Sequence, residues 1–207
     1  MAITEAIYRE MCAWMEEHAH VTITGKDDQV AWRAFAAGLD AVNRIAPGIL
    51  GMTGDEWLHQ FATTLGTWVS IPAQWAPQDK ATVLVHQVQH AKQFQGHTAT
   101  RVPPGLGMAW LYLVEPEARL RLEVEAERAR MEIEYLLTGQ IPALPDLAHL
   151  LEVPAYRFTA AHQVHGQALL ESAMTTLTSL RIPSTEAAMC ARDFFREKYP
   201  AMLAVRG

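Results

Sequence analysis

Between Asp79 and Gly96 the chain has no glycine or proline, and its central part, Val83 to Gln95, reads VLVHQVQHAKQFQ. A run of this kind predicts a helix: Asp79 can cap its start and Gly96 can end it. His86 and His90 stand four residues apart, with Gln93 a turn further on. Side chains at i and i+4 share one helical face. The two imidazoles can therefore direct one nitrogen each at a single metal ion, about 2.0–2.1 Å away. Val83, Val88, Ala91 and Phe94 supply apolar contacts around the pair, so this helix is expected to be packed inside the fold, and the rest of the chain has to be arranged about it.

The chain has 207 residues, half of them apolar, which is a globular composition with enough material for one sizeable core. We expect one domain over 1–207, with its core at about 54–139 and helical additions at both ends. The net charge of −6 gives no electrostatic reason to expect a nucleic-acid partner. Cys12 and Cys190, the only cysteines, each lie in an amphipathic helical pattern and are expected as reduced core thiols. The N-terminus has no basic region followed by an apolar run, and no stretch of about 18 apolar residues occurs. The expectation is no signal peptide, no membrane span, and a cytoplasmic location, or a virion-associated one if the source is a phage.

Periodicity outlines the remaining elements. Thr4 to His18 carries Ile7, Met11, Trp14 and Met15 on one stripe. Asp27 or Asp28 can cap a second helix that reaches about Ile45 and stops at Pro47-Gly48. Ile49 to Met52 is a short connection, and Thr53 with Glu56 forms a capping box for a third helix. Thr63 to Ile71, TTLGTWVSI, is β-branched and aromatic and ends at Pro72, which predicts a strand. After the histidine helix comes a polar loop, His97 to Gly107, and then Met108 to Val114, a strand or the entry to a helix. Pro116 opens a long helix to about Thr138, stopped by Gly139. A short Leu147-Leu150-Leu151 pattern, a helix from about Thr159 to Leu180 and a last helix from Ser184 to Tyr199 complete the chain. The class expected is α+β, mostly helical, with a small sheet ahead of the histidine helix.

H-x-x-x-H on an apolar helix resembles the active-site helix of the zincin metallopeptidases, whose motif is H-E-x-x-H. Leu84-Val85 before the first histidine and Gln93 after the second are similar to small bacterial and phage zincin-like families that read roughly L-V-H-E-x-x-H-x-x-Q. The segment T-x-G-T-x-V-x-I-P, from Thr64, looks like what those families place just upstream. The resemblance covers about Thr63 to Leu137. It implies a zincin-like domain, a zinc ion held by His86 and His90, and a glutamate ligand from a downstream helix. The segment R-x-x-x-E-x-E-A, Arg119 to Ala126, is similar to the one that carries this glutamate. It points to Glu125 as third ligand, at the border of the stripe Ala118, Leu122, Ala126, Ala129 and Ile133, with Glu123 as runner-up. Glu123 and Glu127 are expected further round, towards solvent. The resemblance also implies that an extended peptide or protein partner docks along the 63–71 strand at the sheet edge. Gln93 is a candidate for orienting a loop or a ligand by hydrogen bonding, and is equally readable as a surface side chain.

The sequence departs from the family at one position, where Gln87 replaces the glutamate that acts as general base. A glutamine can hold a water but accepts no proton near neutral pH. General acid–base catalysis contributes about 10²–10⁴ in rate, so the resemblance implies a hydrolase fold that is inactive or strongly impaired. Gln87 is either natural, making a pseudoenzyme, or an engineered exchange that traps an inactive metallopeptidase. A non-catalytic bacterial or phage assembly or binding protein is the alternative. Tyr156, His162 and His165 are candidates for stabilising an oxyanion, each also readable as an ordinary surface side chain.

Overall fold

The computed structural model describes residues 2–27, 29–45, 52–96, 115–152, 156 and 158–205. The expected stop at Pro47-Gly48, the loop His97 to Gly107 and the segment Met108 to Val114 lie outside the described residues. The elements, in order, are α1 (Glu5–Ala19), β1 (Thr22–Gly25), α2 (Val30–Ile45), α3 (Gly54–Gln60), β2 (Thr63–Leu65), β3 (Trp68–Ile71), α4 (Pro77–Gly96), α5 (Pro116–Thr138), α6 (Leu144–Ala148), α7 (Ala160–Leu180) and α8 (Glu186–Lys198). Short 3-10 turns follow α6 (His149–Glu152) and α8 (Pro200–Met202). The class is mostly helical with one small sheet, and no helix among the described residues is long and apolar enough to cross a membrane.

Helix ends follow local chemistry. Thr4 caps α1 by accepting from the Ile7 N–H, and Thr53 with Glu56 makes the expected capping box on α3. α5 opens with Pro116 and closes with Gly139 at φ 74°, a left-handed stop that suits glycine. α4 begins two residues earlier than Asp79, whose carboxylate therefore sits in the first turn instead of at the cap.

The sheet departs from expectation. Thr63 to Ile71 is a hairpin, not one strand: Gly66 takes φ 65° and turns the chain back, so that Thr63 pairs with Ser70 and Leu65 with Trp68. β3 then becomes the central strand, with β2 antiparallel on one side and β1 parallel on the other. β1 lies where no strand was expected, because its four residues, TITG, form too short a run to stand out. Of the 63–71 segment, only β2 occupies an outer position.

The main core joins α1, α4, α5 and α8 around Met11, Met15, Leu84, Val85, Ile133, Phe194 and Phe195. A second core lies between α5, α6 and α7, built on Leu120, Val124, Leu147, Leu151 and Leu170. Trp32 of α2 and Trp57 of α3 form a third with Ala36, and Trp68 of β3 packs against it. α4 is the shared wall: it packs on α1, α5 and α8 and on the β2–β3 hairpin. Its histidines are therefore buried, together with the polar Gln87, Gln89 and Gln93 beside them.

Candidate metal centre

α4 and α5 lie against each other, and each presents polar side chains at i, i+4 spacing to the other: His86 and His90 from α4, Glu123 and Glu127 from α5. His90 Nε2 lies 3.1 Å from His86 Nε2. Glu123 Oε2 lies 3.7 Å from His86 Nε2 and 3.6 Å from His90 Nε2. Three donor atoms so spaced have one point in their plane equidistant from all, about 2.0 Å from each, which is the length of a zinc–nitrogen or zinc–oxygen bond.

The outer nitrogens of both rings face acceptors. His90 Nδ1 donates to Gln93 Oε1 at 2.9 Å, and Gln93 in turn donates to the Leu122 carbonyl at 3.0 Å. Glu127 Oε2 lies 3.3 Å from His86 Nδ1, off the line of a hydrogen bond, while its Oε1 accepts from Arg130 Nε at 2.6 Å. This arrangement puts the proton of His90 on Nδ1 and turns its Nε2 lone pair towards His86 Nε2, which either donates to it or faces it with a second lone pair. With the proton of His86 also on Nδ1, the two facing lone pairs at 3.1 Å beside a buried carboxylate need a cation between them. When that cation is a proton, His90 is suited to carry it. Burial opposes its charge, but the neighbouring Glu123 carboxylate, helped by Gln93 and Glu125, outweighs burial and holds its pKa above the ordinary histidine value. A divalent ion meets the same requirement with three donors of the kind zinc prefers.

The order expected for the third donor is thereby reversed. Glu125 is exposed and its carboxylate accepts from Gln89 and Gln93, whereas Glu123 is buried beside the histidines. The expectation that Glu123 and Glu127 face solvent fails for the same reason. A stripe argument assumes one buried face, but α5 is covered by α4, α7 and α8, and its buried arc takes in Glu123, Glu127 and Glu132. The shared i, i+4 spacing of His86/His90 and Glu123/Glu127 is the signal that could have found this pair.

Gln87 is buried, and its Oε1 accepts from Thr64 Oγ1 at 2.6 Å, a hydroxyl that also lies 3.0 Å from the Gln87 carbonyl. β2 thus touches the helix at the position of interest, a contact the sequence offered no sign of. Among the three oxyanion candidates, Tyr156 lines a small cavity with His86, Glu123 and Glu127, walled by Leu147, Leu151 and Leu170. The other two are placed differently. His162 completes the capping box of α7 with Thr159, and His165 pairs with Glu117 at 3.2 Å. Cys12 and Cys190 are free thiols, and burial raises the pKa of both.

No family model, no curated protein and no solved structure matches the chain.

Proposed function

We propose that the protein is a zincin-like zinc-binding protein in which His86, His90 and Glu123 hold the ion and peptide-bond hydrolysis is nearly absent because Gln87 stands at the position of the base. The observation that carries the reading is the spacing of the three buried donors at 3.1, 3.6 and 3.7 Å. Zinc at this centre would polarise a bound water and a peptide carbonyl. The chain's own residues restrict proton transfer there. The Gln87 amide cannot take a proton, and its oxygen is already engaged by Thr64. Glu127, the other buried carboxylate near His86, is committed to Arg130 and faces the outer nitrogen of the ring. β2, as an outer strand beside Gln87, is where an extended peptide would lie.

The hydrogen bond from Thr64 to Gln87 also favours a second reading, a metal-anchored binding or assembly protein with no hydrolytic role. Two measurements separate the cases. Elemental mass spectrometry of the purified protein is expected to give about one zinc per chain, lost in His86→Ala and Glu123→Gln; no zinc in the parent after zinc is supplied would overturn the proposal. A zinc-loaded Gln87→Glu variant on a broad peptide library then decides the chemistry. Cleavage rising by about 10²-fold or more supports the impaired peptidase, and no cleavage leaves the binding protein.

A further inference from the structure

The hydrogen bonds that hold His90 continue past Gln93. Gln93 Nε2 donates to Glu125 Oε2 at 3.1 Å, and Glu125 Oε1 accepts from Gln89 Nε2 at 3.1 Å. Gln89, buried on α4, uses its Oε1 to accept the backbone N–H of Ala187 at 3.1 Å. Ala187 lies in the first turn of α8, where backbone N–H groups have no partner within the helix. Thr185, at the cap position of α8, makes no capping bond of its own to that turn. The start of α8 is held from outside: Gln89 takes Ala187, and Glu132 of α5 takes the backbone of Ser184 and Thr185 at 3.0 and 2.9 Å. The two helices that present the metal donors therefore also build the seat of the last helix.

We propose that Glu125 is a positioning residue that couples the seat of α8 to the orientation of His90; the inference rests on the zinc-binding proposal. The reason lies in the symmetry of the amide side chain. Gln93 must keep its oxygen towards His90, and Gln89 must keep its oxygen towards Ala187. Each does so only while its NH2 group has acceptors: Gln89 uses Glu125, and Gln93 uses Glu125 together with the Leu122 carbonyl. The Glu125 carboxylate offers one oxygen to each amide. In Glu125→Gln one of these oxygens becomes a donor and two NH2 groups face each other; Gln93 is then held by the Leu122 carbonyl alone and His90 is held less firmly, or the Gln89 link to Ala187 reverses or opens. The carboxylate acts through Gln93 and does not touch the metal.

The test compares the parent with Glu125→Gln, Glu132→Gln and Glu123→Gln. Zinc affinity is read by competition with a chromophoric chelator, and exchange of the Ala187 amide by NMR. Glu125→Gln is expected to weaken zinc about tenfold, at the lower end for groups that support metal ligands, and to speed Ala187 exchange in the zinc-free protein. Zinc is expected to slow that exchange in the parent but not in Glu123→Gln. Glu132→Gln loosens the same helix end through Ser184 and Thr185, so it should lower the unfolding midpoint while leaving zinc affinity unchanged. Parent-like affinity or parent-like Ala187 exchange in Glu125→Gln would overturn the coupling, as would equal loss of zinc in Glu132→Gln. Should the parent take up no zinc, the zinc reading falls. The relay is then decided in the metal-free protein by the His90 ring tautomer from 15N shifts and by Ala187 exchange. Glu125→Gln must alter both for the relay to stand.

Discussion

Lys26 carries its ammonium into a place with no solvent access, where Nζ donates to the Trp57 and Phe61 carbonyls at 2.7 Å each and to Thr63 Oγ1 at 2.8 Å. It also lies 3.4 Å from the centre of the Trp57 ring. These carbonyls belong to the last turn of α3 and its C-cap, where a cation is favoured by the helix dipole. Lys26→Met keeps the stem and removes every donor, stranding two carbonyls, and is expected to cost about 2–4 kcal/mol in urea unfolding. Zinc uptake should be retained, since the site lies on α4 and α5. At this same scale the histidines and glutamates differed in how far they could be read. His86, His90 and Gln93 were legible because their chemistry and spacing coincide on one helix. Glu123 and Glu127 were not read as buried, because their burial depends on what covers α5, and in a helix so rich in glutamate and arginine only the i, i+4 spacing they share with the histidines singles them out.

Helices were legible as elements because their signals are local. Thr53, Glu56, Pro116 and Gly139 act within a turn of where they stand, and all four perform the roles expected of them. The hairpin shows where local signals stop. TTLGTWVSI has strand-forming residues throughout, and only Gly66, at φ 65°, reverses it. A Cβ on that glycine would also meet the Phe94 ring of α4 at 3.3 Å. Gly66→Ala therefore combines a left-handed backbone with a tight contact, and is expected to cost about 1–2 kcal/mol. Chemical denaturation checks this, with Gly96→Ala as a control, since a Cβ there meets nothing. Loosening the hairpin also releases Thr64 from Gln87, which places this turn among the supports of the site.

At the scale of the molecule, the donors come from two helices that contact each other directly and are enclosed by α1, α7, α8 and the hairpin. Zinc that binds the folded chain and not the unfolded one adds stability by mass action. At a free concentration 100 times the dissociation constant the gain is about 2.7 kcal/mol, or roughly 5–10 °C for a chain of this size. Thermal scans with and without zinc are expected to show this shift in the parent and none in Glu123→Gln; equal shifts in both would place the metal elsewhere. The sequence by itself determined the helical class, most helix boundaries, the histidine pair and the glutamine that stands between them, because each is written in neighbouring residues. The tertiary structure alone decided which carboxylate meets the histidines, that the strand folds back, and that Thr64 and Gln89 reach α4 and α8. The carboxylate and the two side-chain contacts join residues 23 to 98 positions apart, and only the packing of one element on another brings such residues within reach.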